Sequence, residues 1–579
     1  MVTVVRKCNI LISMALVLSL ALPAMAQKKK DDEMSFEAED VNKIKKSKKM
    51  DRAEGFYKKA LSPTSDNPLV YFQSATIYFK QVMAKDNADD SPEVKQRAQF
   101  YMGKSLYHMG YYSAAKNYFE KIVELGDSHP FYKLTLKWLV SLQKKMPESA
   151  GILPLIGKYK EEYLDSKALK PFRPQLLYYL GRYHYVAGRL NKASDLFAKV
   201  PEGTIYYLRA KFFEGITMVR LGKPVDGLKR FNAILKFAKK NRGFKNIMDY
   251  IELANLSLAR VYYQAGRVAV GRYSQTSKRK FAQLAEKYLK YSITFYEKIP
   301  RKSFNWPQSL FEESWAYFIL DAMLRPVFNK DYGGYQKALG NIHTLNAPFF
   351  ETFFFPETLI LRAVIYFNNC RVKSAEEALA EFGSVYPALQ QGIRAVADKH
   401  KNGDEEENDA YFEYIKKVKA DKAGLSPVLS RMVKSTLDDR TFERRLDFLH
   451  ELTREIKQLD TADKSWKTSD IAREIKEDLE FQKSNAQTEA GKLARQRVLR
   501  LDNELTRLVL QYGDVKIELD NLKLKKVTAR SRTQKSPKVK ILGVTVDDEH
   551  VIWPFDGAYW QDELGYYRFV VRSSCGSGK

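Results

Sequence analysis

With 579 residues, 97 Lys and Arg against 70 Asp and Glu, and a net charge of +27, the chain is too long for one hydrophobic core and basic enough to favour anionic partners. Three cysteines exclude a disulfide framework. No apolar run of about 18 residues follows the leader, which excludes a transmembrane segment in the mature chain.

The leader is the first element. Arg6 and Lys7 precede an apolar stretch from Ile10 to Leu22, Pro23 ends it, and Ala24-Met25-Ala26 supplies a small-x-small cleavage site. This pattern predicts a signal peptide over residues 1–26, a mature protein starting at Gln27, and a periplasmic location. Cys8 lies before the apolar stretch, the wrong side for lipid acylation. Export also replaces nucleic acid, the usual partner of a basic chain, with other polyanions: headgroups, cell-wall polymers or acidic proteins. After cleavage Cys370 and Cys575 remain, and one bridge between them stays open in an oxidising compartment.

A charged segment, 27–49, leads into an internal repeat. In "YYLGRYHYVAGRLNKASDLFAKVP", residues 178–201, apolar periodicity predicts a helix from Leu176 to Val186, a turn through 187–189, and a second helix from Leu190 to Lys199 ended by Pro201. Gly181 and Ala193 stand twelve apart, and Phe197 follows four later. Gly103, Ala115 and Phe119 repeat the spacing, as do Gly215, Gly227 and Phe231, and Ala363, Ala375 and Leu379, with Pro387 expected to close the last helix. Two antiparallel helices crossing closely need a small residue on each, with a large apolar residue one turn on to seal the pair against its neighbour. "FEKIVE", "FAKVPE" and "YEKIPR" echo one helix end. A degenerate pair around Trp315 and Ala338 extends the array over 50–390. The copy containing Ala259 carries an insertion, including "GRYSQTSKRKFAQ", before its second helix resumes near Ser292, and the expectation is a loop on one face.

Large-x-x-Leu-Gly in the first helix, Ala and Phe in the second and a closing Pro resemble the tetratricopeptide repeat, with "LLYYLG…A…F…P" at 177–201 the best match. The first-helix Trp of that pattern is replaced by Gln99, Leu177, Lys211 and Leu359, so repeat number stays open. The resemblance implies an α-solenoid scaffold whose first helices line a peptide- or protein-binding groove. Carried over by position, the groove candidates are Lys104 and Tyr107, Arg182 and Tyr185, and Arg209 and Phe212. Basic groups beside aromatics suit an acidic or carboxylate-bearing segment.

Residues 391–410, with "KNGDEEENDA" at 401–410, read as an acidic linker. Residues 411–522 read as a helical or coiled-coil region. One stripe is Phe442, Leu446, Leu449, Ile456 and Leu459; a stricter one runs Ala494, Val498, Leu501, Leu505, Leu508, Tyr512, Val515, Leu519 and Leu522 at coiled-coil spacing. Its partner is left open between the 442–459 segment, the array and another chain. Residues 523–540 hold eight Lys or Arg and no acid and read as a flexible basic linker. Residues 541–579 read as a small β-rich tail module. The expected fold class is therefore all-α: a tetratricopeptide-like solenoid, a helical or coiled-coil region, and a β-rich tail.

No G-x-S-x-G, P-loop, H-E-x-x-H or Cys/His metal spacing occurs, so no catalytic, cofactor or metal residue is assigned. His184, flanked by Tyr183 and Tyr185, reads as a packing residue. In the tail, Trp553, Asp556, Tyr559 and Trp560 are binding candidates, by ring stacking with carboxylate hydrogen bonds on sugar, against the alternative that the rings dock the module onto the helices. The export signal, divergent repeats, long helical region and "WPFDGAYWQDELGYYRF" at 553–569 also resemble periplasmic tetratricopeptide proteins of the deltaproteobacterial adventurous gliding-motility machinery. That implies a non-enzymatic scaffold binding other envelope proteins. A peptidoglycan-binding or lytic enzyme and an outer-membrane assembly factor that contacts anionic lipid or cell wall are the alternatives.

Overall fold

The computed structural model describes residues 47–244, 246–350, 353, 355–400, 404–530 and 573. Helix is the only extended secondary structure among them. The signal peptide, most of the 27–49 segment, and the β-rich tail with Trp553, Asp556, Tyr559 and Trp560 lie outside the described residues.

The chain divides into two compact units. The first takes residues up to 261 together with 393–501. Its helices begin with α1 (Lys48–Leu61), α2 (Pro68–Met83), α3 (Pro92–His108), α4 (Tyr112–Leu125), α5 (Tyr132–Lys145) and the short α6 (Ile152–Ile156). After them come α7 (Arg173–Val186), α8 (Leu190–Ala198), α9 (Ile205–Arg220), α10 (Pro224–Lys240) and the start of α11 (Ile247–Thr276). Ser47, Asn67 and Ser91 accept from backbone N–H groups of the first turns, and Pro68, Pro92 and Pro224 stand where a helix needs no donor.

The second unit takes residues 262–392 with the chain from 502 onward. It holds the remainder of α11, then α12 (Arg279–Tyr296), α13 (Trp306–Ile319), α14 (Arg325–Phe328), α15 (Gly334–Leu345), α16 (Glu357–Asn368) and most of α17 (Val372–Ala397). Back in the first unit follow α18 (Glu405–Lys419), α19 (Pro427–Leu437), α20 (Arg440–Asp460) and α21 (Lys464–Lys467). The 61-residue α22 (Asp470–Arg530) contributes to both.

The helical pairs are repeats of one device. A Cβ placed on Gly103, Gly181 or Gly215 would come within 2.7, 2.6 and 2.5 Å of Cε1 of Phe119, Phe197 and Phe231. So the ring expected to seal a pair against its neighbour lies first across the glycine of its own pair. It then reaches the neighbour too, with Phe197 stacked on Phe213 at 5.9 Å. Ala115, Ala193 and Ala375 are fully buried at the crossing, and a Cβ on Gly227 would meet the Gly215 carbonyl at 3.0 Å.

Seven residues after each first-helix small residue the backbone turns left-handed. Gly110, Gly188 and Gly222 have φ of 82°, 74° and 75°. The next N–H in each case, from Tyr111, Arg189 and Lys223, closes on the carbonyls of Leu106, His184 and Met218 at 2.9 Å. That is the Schellman cap, and glycine fills it because Cβ is disfavoured there. The fourth copy repeats the hydrogen bond, Arg371 N–H to Tyr366 at 2.9 Å, but places Cys370 at φ 54°. Cys370 is disulfide-bonded; the other cysteines, Cys8 and Cys575, lie outside the described residues.

Four readings are revised. The insertion after Ala259 is helix rather than loop: α11 and α12 lengthen, and Gly266 now meets Leu289, to which a Cβ would come within 2.9 Å. Pro387 does not close its helix, because α17 continues to Ala397. Around it Phe382 stacks on Tyr512 at 5.4 Å and Gln390 donates to Asp502 at 2.6 Å, tertiary contacts that outweigh the local break. The acidic run of the 391–410 linker is partly a helix start: Asp404 caps α18 by accepting from Glu407 N–H at 2.8 Å, with Glu405–Glu407 in its first turn, where the helix dipole favours negative charge. The basic segment 523–540 is helical as far as Arg530, and Lys523 pairs with Glu376 of α17.

The strict stripe on α22 is buried by the chain's own helices. Val498, Leu505, Leu508, Val515 and Leu519 are at most 3% exposed. In the first unit Arg495 lies over Tyr411 of α18 at 4.9 Å, and in the second Tyr512 and Asp502 meet α17 as above. The 442–459 stripe packs on the array. Phe442, Leu449, Leu452 and Leu459 are buried, and the rest of the docking is to backbone: Arg454 donates to the Gly110 carbonyl at 2.7 Å, Gln458 to that of Met109 at 2.9 Å, and Glu455 accepts from Ser113 N–H at 2.8 Å. α20 thus caps the end of α3 and the start of α4 at once, where the N-cap residue Tyr111 supplies no side-chain bond of its own. Trp466, 1% exposed, donates to Thr76 at 3.0 Å beside it.

Candidate binding cleft

Three of the six groove candidates converge. Arg182 of α7 and Arg209 and Phe212 of α9 line a cleft of about 460 Å³ in the first unit, with Tyr178, Tyr179 and Phe213 from the same helices and Tyr250 from α11. First helices of successive pairs lie side by side, and Arg209, about two turns before the position that matches Arg182, falls on the same helix face.

The opposite wall comes from far along the chain. Arg440, Glu443, Arg444 and Asp447 of α20 complete the cleft, with Glu148 from the connection after α5. Glu148 pairs with both Arg182 and Arg444, and Ser149 donates to the Arg444 carbonyl at 2.6 Å. Arg182 also lies over the Phe213 ring at 4.3 Å and donates to the Tyr178 hydroxyl at 3.2 Å. One carboxylate therefore bridges two guanidiniums and leaves the trio with a net positive charge.

The other two are different. Arg209 donates through Nε to the Tyr250 hydroxyl at 3.2 Å, and among the described residues neither Arg209 nor Arg440 has a carboxylate within ion-pair distance. Burial, and then the neighbouring Arg444 guanidinium, pull the pKa of Arg440 below its ordinary value, against the influence of Glu443. Burial pushes the phenols of Tyr179 and Tyr250 up, so both stay neutral. The cleft therefore offers two guanidiniums outside any ion pair among the described residues, Arg440 with Glu443 nearby on its own helix, beside aromatic faces, which suits an anionic group attached to an apolar body.

The remaining candidates lie elsewhere. Lys104 sits over Tyr101 and Tyr57 at 4.5 and 4.9 Å, and Tyr107 is edge-on to Trp138 at 5.2 Å. They form a separate aromatic cluster. Tyr185 packs against Phe213 at 5.5 Å under Arg220 at 4.8 Å and does not line the cleft. His184 is a packing residue: 6% exposed, it accepts from Arg189 at 2.8 Å, and burial, helped by Lys192 and Arg189, pulls it down to about 4. The α20 wall was missed because nothing in local spacing links Arg440 to Arg209. Among the described residues no cluster of His, Cys, Asp or Glu is arranged to hold a metal, and no helix is long and apolar enough to cross a membrane.

No family model and no curated protein matches the chain. A solved circular tandem repeat protein with novel repeat topology and enhanced subunit contact surfaces is similar at 11% identity, over 83% of this chain and 100% of that one, with a TM-score of 0.13. At that score the likeness carries no weight. The helical repeat-like architecture rests on the glycine–ring locks and the four matching Schellman caps.

Proposed function

We propose that the chain is an exported, periplasmic scaffold of the tetratricopeptide kind that binds other envelope proteins by receiving an acidic segment in the cleft. The observation that carries this reading is the pair Arg209 and Arg440, two guanidiniums outside any ion pair among the described residues, beside Phe212, Phe213 and Tyr250. The leader with Ala24-Met25-Ala26 and the bonded state of Cys370 support export to an oxidising compartment. The sequence resemblance makes a gliding-motility or other trans-envelope complex the assembly to look in, with the chain as structural component rather than enzyme.

The test is a photo-crosslinking residue at Gln143 on the cleft, in cells, with captured partners identified by mass spectrometry. Envelope proteins crosslinked through acidic segments are expected. Arg209→Ala with Arg440→Ala should reduce their yield at least tenfold, since each charge-assisted hydrogen bond contributes about 1.5–3 kcal/mol. A yield unchanged by the double substitution overturns the reading. Export makes its own prediction. Cleavage removes Cys8 and leaves Cys575 as the intrachain partner, so Cys370 should resist alkylation until the chain is reduced, and non-reducing peptide mapping should link it to Cys575. A freely alkylated Cys370 in the exported chain counts against it.

A further inference from the structure

The two most exposed large apolar side chains among the described residues are Phe349, 85% exposed, and Phe304, 79% exposed. They belong to different connections of the second unit, α12–α13 and α15–α16, yet sit on one tip. Phe304 packs against Phe353 at 5.6 Å, Trp306 against Phe350 at 5.8 Å, and Phe350 against Phe349 at 5.0 Å. Phe311 stacks on Phe355 at 5.1 Å between the same two segments, both half-buried. Pro300, Pro307, Pro348 and Pro356 flank the two turns and restrict them.

Charge surrounds the rings unevenly. Lys298, Arg301 and Lys302 are exposed immediately before Phe304, and residues 298–311 contain no acid between Glu297 and Glu312; Glu351, the one acid in the 346–356 sequence, lies outside the described residues. Rings standing out on loop tips need a medium that yields around them. Basic side chains at the same level need anions spread in a plane. An anionic bilayer surface meets both requirements: aromatic rings settle at the boundary between headgroups and acyl chains, while Lys and Arg stay among the phosphates. We propose that this tip is a membrane-contact surface that inserts Phe304 and Phe349 into an anionic lipid leaflet. The proposal is independent of the cleft, which lies in the other unit.

The experiment is flotation of a chain beginning at Gln27, which keeps every described residue, with vesicles of phosphatidylglycerol and phosphatidylcholine, compared with phosphatidylcholine alone. The wild type should float with the anionic vesicles. Phe304→Ala with Phe349→Ala should weaken partitioning about 100-fold, since each ring removed from the boundary costs on the order of tenfold. Arg301→Gln with Lys302→Gln should weaken it about 30-fold on anionic vesicles only. Unchanged thermal melts would show that the exposed substitutions leave the fold intact. Brominated acyl chains should quench tryptophan fluorescence, and Trp306→Phe should remove that quenching. Absent flotation, or equal flotation of wild type and the double phenylalanine variant, overturns the proposal; the former result would make the tip a protein-facing surface instead.

Discussion

Gly181→Ala is expected to destabilise the first unit although alanine is the better helix former. The new methyl must enter the space of a ring that has nowhere to go: Phe197 is fully buried, with Tyr178 at 6.2 Å and Phe213 at 5.9 Å around it. Overpacking of this kind costs about 1–3 kcal/mol, and the gain in helix propensity offsets up to about 1 kcal/mol of it. The net loss should appear as a lower denaturation midpoint. The fourth copy supplies the compensating change, with Ala363 at the glycine position and Leu379 at the ring position, both buried. Phe197→Leu in the Gly181→Ala background should therefore recover stability, although Phe197→Leu alone reduces it. A double-mutant cycle in which the two costs simply add would dissolve the lock.

The second large effect is on pH. Glu455 is fully buried under the α3–α4 turn, and burial pushes its carboxyl up to about 7, with Glu451 adding to the rise and the Ser113 hydrogen bonds and Arg454 opposing it. Glu313 and Glu357 are likewise raised to about 7, chiefly by burial. A carboxyl with a raised folded-state pKa contributes stability that is complete below its unfolded value near 4.5 and is lost as pH climbs through 7. Each of these carboxyls should therefore favour pH 5 over pH 8 by on the order of 1–3 kcal/mol, while His108, His129 and His184, which burial pulls down to about 4, favour the higher pH. Glu455→Gln keeps an acceptor for Ser113 and removes the ionisation, so its melting temperature should match wild type near pH 5 and exceed it at pH 8. A Glu455→Gln variant whose melting temperature tracks wild type equally at pH 5 and pH 8 would contradict the assignment.

The pairs were legible because their constraint is local. Gly181, Ala193 and Phe197 meet through one short turn, so fixed spacing encodes fixed geometry, and three further copies followed from it. Pro387 and the Ala259 insertion were misread because local preference was taken as decisive where partners distant in sequence, such as Tyr512 against α17, do the deciding. The cleft was half legible. Arg182, Arg209 and Phe212 could be placed through the repeat, but Arg440 and Glu148 arrive by long-range docking, for which the sequence holds no periodic mark. The aromatic tip did leave a signal, "PFFETFFFP" at 348–356 with "FNWP" at 304–307, overlooked because these runs fall between helices.

The α11–α12 pair shows how such an architecture can grow. From Ala259 to Tyr296 is 37 residues, where Gly181 to Phe197 is 16, and the surplus of 21 is close to six helical turns at 3.6 residues each. Shared between antiparallel rods, it carries the hairpin tip outward by roughly three 5.4 Å pitches and leaves the contact at its base unrotated. Indels in whole-turn quanta are thus invisible to adjoining modules, so reach can drift over generations while the trunk keeps its shape.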